Sequence, residues 1–213
     1  PATPTTPPTT TPPVSGQIAF VSNRDGDSDI YVMDADGRNV QKLTDAPGWD
    51  GSPAWAPHGT RIAFVSVDGT PGGLPHIYVM DATGGNLKQL TDGPNVDGFP
   101  EWSPDGTRIA FSSDAPDRDS HIYVMDADGG SLQQLTDDPG GDSHPTWSPD
   151  GTRIAFSSTR GGGYWQLYVM DADGGNVQQL TDDPGWDVSP AWSPALGQDV
   201  STTWSPPPGP CPI

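Results

Sequence analysis

Four aspartates recur at one position of a repeated pattern, and their side chains are the first candidates for chemistry in this sequence. Each stands five residues before a tryptophan; they are Asp50, Asp97, Asp142 and Asp187. In a closed ring of repeats the four carboxylates would surround one opening, where like charges repel unless hydrogen bonds, protonation or a cation offsets them. Calcium binds carboxylate oxygens readily. Two interpretations follow: each aspartate caps its own loop, or the four hold a calcium ion.

Aromatic residues in loops are the second group of candidates. Trp49 and Trp186 occupy equivalent loops, and Tyr164 and Trp165 share a loop of the last repeat. Exposed aromatic patches mark interaction sites, and polyproline segments dock on aromatic grooves. We expect these four residues to bind a proline-rich segment or a glycan, with ordinary packing of loop tips as the alternative.

Catalytic motifs are missing from the sequence. It has no Gly-x-Ser-x-Gly, which carries the nucleophile of many hydrolases, and no phosphate-binding Gly-x-x-x-x-Gly-Lys. An active site also needs different groups that converge, whereas near-identical repeats present the same surface several times. The sequence therefore predicts a non-catalytic protein, and an enzyme that acts at the channel mouth is the least favoured reading.

The charge balance excludes several partners. The 213 residues carry 28 acidic side chains against nine lysines and arginines, a net charge of −19. Nucleic acids and anionic membrane surfaces are poor partners for such a chain. No apolar run approaches the roughly 18–20 residues that span a membrane, so we expect no membrane insertion.

Four repeats of about 45 residues organise the chain. Tyr-Val-Met-Asp begins at residues 31, 78, 123 and 168, and the string SPDGTRIAFSS occurs twice without change, at 103–113 and 148–158. Each repeat contains short β-rich runs separated by Pro-Asp-Gly and Asp-Gly-Gly turns, without a helical period. Four short antiparallel strands per repeat are typical of a propeller blade. The sequence thus predicts an all-β, four-bladed β-propeller.

The run W-S-P-D-G-T-R-I-A-F, followed by I-Y-V-M-D-A-D-G-G and Q-Q-L-T-D-D-P, resembles the TolB-type propeller repeat over about residues 17–194. The resemblance implies that the tryptophan strand is the innermost strand of each blade and that the aromatic loops share one face. It also implies a periplasmic or extracellular protein.

Counting strands on this arrangement predicts three regions: a Pro/Thr-rich tail at 1–16, the propeller at 17–194 and a proline-rich tail at 195–213. The chain enters on a second strand, so the first blade needs an inner strand. The segment 188–193 completes that blade, either within one chain or in a neighbouring chain. A further tryptophan strand at 202–206, with Trp204, then has no blade, and the single cysteine, Cys211, is free to link two chains.

The leading functional hypothesis is a secreted, non-catalytic interaction module that assembles with copies of itself, into oligomers or fibres, by exchanging strands and tails. The alternative is a monomeric, TolB-like periplasmic scaffold that binds a protein or a small ligand.

Overall fold

The computed structural model describes residues 16–114 and 119–193, and all of its regular structure is β-strand. The prediction of an all-β propeller of four blades is confirmed. Residues 1–15 and the tail from 194 onward lie outside the described residues, and with them the candidates Trp204 and Cys211. The described part contains no helix long and apolar enough to cross a membrane.

Fifteen strands form four antiparallel sheets, one for each blade. Blade 1 contains β1 (Gln17–Ser22), β2 (Asp29–Asp34) and β3 (Gln41–Lys42). Blade 2 contains β4 (Trp49–Trp55), β5 (Arg61–Val67), β6 (His76–Asp81) and β7 (Lys88–Gln89). Blade 3 contains β8 (Val96–Trp102), β9 (Arg108–Asp114), β10 (Ser120–Asp126) and β11 (Gln133–Gln134). Blade 4 contains β12 (Asp142–Trp147), β13 (Arg153–Ser158), β14 (Gln166–Asp171) and β15 (Gln178–Gln179).

The hydrophobic core is divided among the three junctions between consecutive blades. One apolar cluster joins blades 1 and 2, a second joins blades 2 and 3, and a third joins blades 3 and 4. In blades 2 to 4 the Ile-Ala-Phe run of the second strand is buried in or beside these clusters, because both faces of that strand are covered. Phe64, Phe111 and Phe156 are almost completely buried.

The Pro-Asp-Gly turns form as the sequence predicts. In blade 3 the Asp105 carboxylate accepts hydrogen bonds from the Ser103 hydroxyl (2.6 Å) and from the Thr107 backbone N–H (3.0 Å), and Gly106 takes a positive φ of 69°. These bonds lower the pKa of Asp105. The turn brings the inner strand directly back into the second strand, which fixes the register of Trp102 opposite Ile109.

Segment 188–193 does not pair with blade 1 of the same chain. Blade 1 has three strands, and no described residue pairs with the free edge of β1. No strand of blade 4 contacts a strand of blade 1, so the described blades form an open arc. Segment 188–193 lies on blade 4 instead: the Trp192 indole N–H donates to the Thr146 carbonyl at 3.2 Å. Trp102 contacts Ala54 of the preceding inner strand in the same way, so segment 188–193 takes the place of the inner strand of a blade that would follow blade 4.

Candidate functional site

The four predicted aspartates lie at blade junctions. Asp50, Asp97 and Asp142 are buried near the start of their inner strands, and Asp187 is half-buried in the equivalent place. The backbone N–H of Asp97 donates to the Pro75 carbonyl of the preceding blade at 2.9 Å. The expected circle of carboxylates depended on a closed ring, and the arc is open.

Each buried aspartate has partners of its own. His76 Nδ1 lies 3.1 Å from Asp97 Oδ2, and the Arg160 guanidinium donates to both oxygens of Asp142 at 3.0 and 3.1 Å. Burial raises the pKa of Asp50, while hydrogen bonds from Ser66 and Thr44 act in the opposite direction. The contacts of Asp97 with His76 and of Asp50 with Thr44 link neighbouring blades, whereas Asp142 and Arg160 both belong to blade 4. All of these contacts have a structural role.

Calcium binding by these aspartates stays a prediction. Among residues 16–114 and 119–193, no group of three or more histidine, cysteine or acidic side chains is arranged to hold a metal ion. Thermal unfolding in calcium and in EDTA is the direct test, because a ligand that binds only the native state raises the melting temperature.

The aromatic residues are exposed, as a binding patch requires. Trp186 is 74% exposed, Tyr164 50% and Trp49 43%, whereas Trp165 is half-buried. Gly141 leaves room for the Trp165 ring, since a Cβ at that position would lie only 3.3 Å from the ring.

Two connected grooves contain three of these four residues. Trp165 and Trp186 line a groove of about 650 Å³, here called the tryptophan groove. Trp49 lines a smaller groove of about 230 Å³, the Trp49 groove. Phe99 and Asp114 line both grooves, so the two form one surface with an acidic side chain in its wall. Tyr164 lines neither groove.

A third cavity, of about 480 Å³, lies among the inner strands. Blades 2, 3 and 4 and segment 188–193 each contribute three consecutive residues to this central cavity: 52–54, 99–101, 144–146 and 189–191. Phe99 and His144 also line the tryptophan groove, and their rings are 3.8 Å apart between centroids. The central cavity and the aromatic grooves therefore form one continuous surface.

Four residues with a strained backbone conformation line this cavity. Ser52, Phe99, His144 and Ser189 all have φ between 50° and 57°, which is uncommon for residues other than glycine. In the three paired inner strands this residue lies where the register between the inner and second strands shifts. Such backbone strain persists only when the surrounding structure enforces it, and it concentrates at functional sites.

Glu101 is the acidic side chain of the central cavity. Burial raises the pKa of its carboxyl from 4.5 to about 7. The equivalent residues of the other inner strands are Ala54, Thr146 and Ala191, which carry no charge. Burial also lowers the pKa of His144, which favours a neutral imidazole. A cationic group in the cavity would stabilise the charged form of Glu101.

Sequence reasoning did not identify Phe99, Glu101 or His144. It compared positions that are identical in every repeat, and these turned out to be the aspartates of the blade junctions. The signal that could have identified them is a position that varies between repeats. Four inner strands share Pro-x-Trp, but the residue before the proline differs: it is Ser52, Phe99, His144 or Ser189.

This geometry defines a β-propeller module whose distinctive surface lies at its inner strands. The family model for the TolB β-propeller domain matches residues 5–96 and 92–203, and the chain belongs to that family. The TolB homologue of Chlorobium luteolum is 42% identical over 53 residues, which are 25% of this chain and 12% of that protein. The Tol-Pal system protein TolB of Geobacter sulfurreducens is 44% identical over 50 residues, 24% of this chain and 12% of that protein.

A solved structure supports the same assignment. The crystal structure of TolB from Acinetobacter baumannii superposes with a TM-score of 0.67 and 28% identity, and the match covers 78% of this chain and 40% of that one. This chain thus spans well under two thirds of the TolB proteins it matches.

The contact between Asp142 and Arg160 leads to a first testable prediction. Asp142→Ala should lower the free energy of unfolding by about 3 kcal/mol, because it removes the fully buried carboxylate that accepts two hydrogen bonds from the Arg160 guanidinium and leaves Arg160 only the more exposed Asp138 and the Ser158 hydroxyl. Asp187→Ala, at the equivalent half-buried position, is the matched control and should cost less than about 1 kcal/mol. Urea unfolding of both variants measures the difference. Equal losses would show that the Asp142–Arg160 contact adds nothing.

Glu101 makes a second prediction. The unfolded chain, with an ordinary glutamate pKa near 4.5, loses its proton before the folded chain does. Burial of Glu101 therefore lowers stability as pH rises from about 4.5 to 7, by about 3 kcal/mol in total. Glu101→Ala, which copies Ala54, should remove that loss. Chemical unfolding at pH 5 and pH 8 tests this: an unchanged pH dependence in the variant would exclude Glu101 as its source.

Proposed function

We propose that this chain is a non-catalytic, TolB-like binding module whose ligand is a basic, proline-rich polypeptide segment. One observation carries the proposal: the tryptophan groove, the Trp49 groove and the central cavity form a continuous aromatic surface around Phe99. Polyproline segments bind aromatic-lined grooves because they are extended before binding and lose little entropy.

The acidic charge of the binding surface indicates which kind of polypeptide segment it binds. Glu101 lines the central cavity, Asp114 lines both grooves, and the chain carries a net charge of −19. Complementary charge steers encounter and disfavours acidic partners. The ligand therefore carries lysine or arginine, and the protein acts in the periplasm or the extracellular space. Support for the non-catalytic role comes from the missing nucleophile and phosphate motifs.

A binding experiment tests this function. Tryptophan fluorescence would be titrated with a twelve-residue polyproline peptide that contains three lysines, and with the same peptide with glutamates in their place. We expect saturable binding of the lysine peptide alone. Phe99→Ser, which copies Ser52 at the same backbone conformation, and Trp186→Ala should each weaken binding about tenfold or more.

The matched control is Leu132→Ala, which removes an exposed apolar side chain outside the three cavities. It should bind like the unmodified protein. Binding of an oligosaccharide panel without binding of the peptide would replace the polypeptide ligand by a glycan. Equal weakening in all three variants would contradict the assignment of the surface.

We propose a second role, association with other copies of the chain through strands and tails, because no described residue supplies blade 1 with an inner strand. Light scattering of the full chain should detect oligomers or fibres. Removal of residues 1–15 or 200–213 should release monomers if the tails hold the copies together, whereas an assembly held by strands alone should survive both truncations. Cys211→Ser should leave the assembly in place in either case. A monomer at all concentrations would exclude association, and assemblies that survive both truncations would exclude the tails.

A further inference from the structure

The inner edge of blade 1 has the geometry of a vacant strand position. In blades 2 to 4 the first isoleucine of each second strand is fully buried beneath its inner strand: Ile62, Ile109 and Ile154. The equivalent Ile18 in β1 is 42% exposed. Val21 is 41% exposed, whereas its equivalent Val65 is 2% exposed. β1 therefore presents both its backbone edge and its apolar side chains to an absent strand.

Trp55 gives an independent indication at the same place. The indole N–H of Trp102 donates to the carbonyl of the residue before the tryptophan in the preceding inner strand, and Trp192 does the same. Trp55 Nε1 is buried and has no hydrogen-bond partner among the described residues. Trp147 Nε1 also lacks one, although its preceding inner strand is present. For Trp55, no described residue forms the preceding inner strand, and a buried donor without an acceptor is destabilising.

The other end of the arc holds a segment with the sequence pattern of an inner strand, Pro-x-Trp. Segment 188–193 packs on blade 4, and Ser189 has the positive φ of an inner strand, 57°. No second strand pairs with this segment in the described part of the chain, and Val188 and Trp192 are 46% and 37% exposed. Blades 4 and 1 of one chain do not touch, so the segment cannot fill its own blade 1 while it stays on blade 4.

We propose that segment 188–193 of one chain pairs with β1 of a second copy, so that the two form one blade. This inference rests on the self-association proposed above and specifies which segments connect the two copies. The contact between segment 188–193 and β1 is here called the joint. The contact is head-to-tail: blade 4 of one copy continues into blade 1 of the next. Two such joints close a ring of two chains and eight blades, which is within the usual range for propellers.

The register of the joint follows from the complete blades. Trp55, Trp102 and Trp147 lie opposite Ile62, Ile109 and Ile154, and Gly51 lies opposite Val65. By equivalence Trp192 lies opposite Ile18 of the second copy, and Val188 lies opposite Val21. The same pairing places the Ala191 carbonyl as the acceptor for the Trp55 indole N–H.

Single cysteines test this register in the full chain carrying Cys211→Ser. Val21→Cys and Val188→Cys proteins would be mixed and oxidised, because facing Cα atoms in an antiparallel pair are about 4.5–5.5 Å apart, within disulfide range. Ile18→Cys is the matched control, since Ile18 is as exposed as Val21 but lies three residues, about 10 Å, from the position that faces Val188. We expect at least tenfold more disulfide-linked dimer with Val21→Cys than with Ile18→Cys.

Each other outcome overturns the joint. Equal linkage of both pairs would indicate random collision. An intramolecular disulfide in the Val21→Cys, Val188→Cys double variant, without linkage in the mixture, would show closure within one chain. Linkage of Val21→Cys to Val200→Cys would show that residues 199–204, and not 188–193, fill the inner-strand position of blade 1. Residues 199–204 repeat the Asp-Val-Ser and the tryptophan of 187–192. Oligomers of the unmodified chain without any of these disulfides would leave self-association standing and exclude this joint.

Light scattering of the unmodified chain provides a second readout that needs no cysteine. The expected mass is twice the 22.4 kDa of one chain, and Val21→Asp should shift it to the monomer mass. Val40→Asp is the control, since Val40 is equally exposed but lies outside β1. Retention of the two-chain mass in Val21→Asp would contradict the proposal, and so would its loss in Val40→Asp.

Discussion

The packing of each second strand between its own inner strand and the neighbouring blades is the interaction on which the rest of this structure depends. Full burial of an isoleucine such as Ile109 contributes about 1.5–3 kcal/mol, and each complete blade repeats that contribution together with a buried phenylalanine. No cluster of the core lies within a single blade; all three lie between two. Stability in such a chain is a sum of blade-to-blade contacts, so the two ends of the arc are its weakest parts.

The blades themselves could be predicted from the sequence because their determinants are local. Pro-Asp-Gly turns, Ile-Ala-Phe runs and the spacing of the tryptophans define each strand and its register within the blade, and the structure has them where the pattern indicates. Closure could not be predicted in the same way. The segment around Trp192 has the same local pattern whether it pairs with β1 or starts another blade, and only the curvature of the whole arc decides between the two.

The candidate site shows the opposite relation between repetition and function. The recurring aspartates were the natural choice for a metal site, yet three of them are buried at blade junctions, each with different side-chain partners. The side chains that give the central cavity its chemistry are those that differ between repeats. Phe99 supplies an aromatic face, Glu101 a titratable carboxyl and His144 a neutral imidazole, at positions where other inner strands have serine, alanine or threonine. Their importance appears only when the inner strands are placed side by side around one cavity.

The open end of the arc and the binding surface are physically coupled. Residues 189–191 form part of the wall of the central cavity, and Trp186 and Val188 line the tryptophan groove. Among the described residues, segment 188–193 contacts blade 4 and pairs with no second strand. The positive φ at Ser189 is a strained conformation that persists only where the surroundings enforce it. Whatever pairs with segment 188–193 therefore also determines the shape of the cavity beside Phe99 and His144.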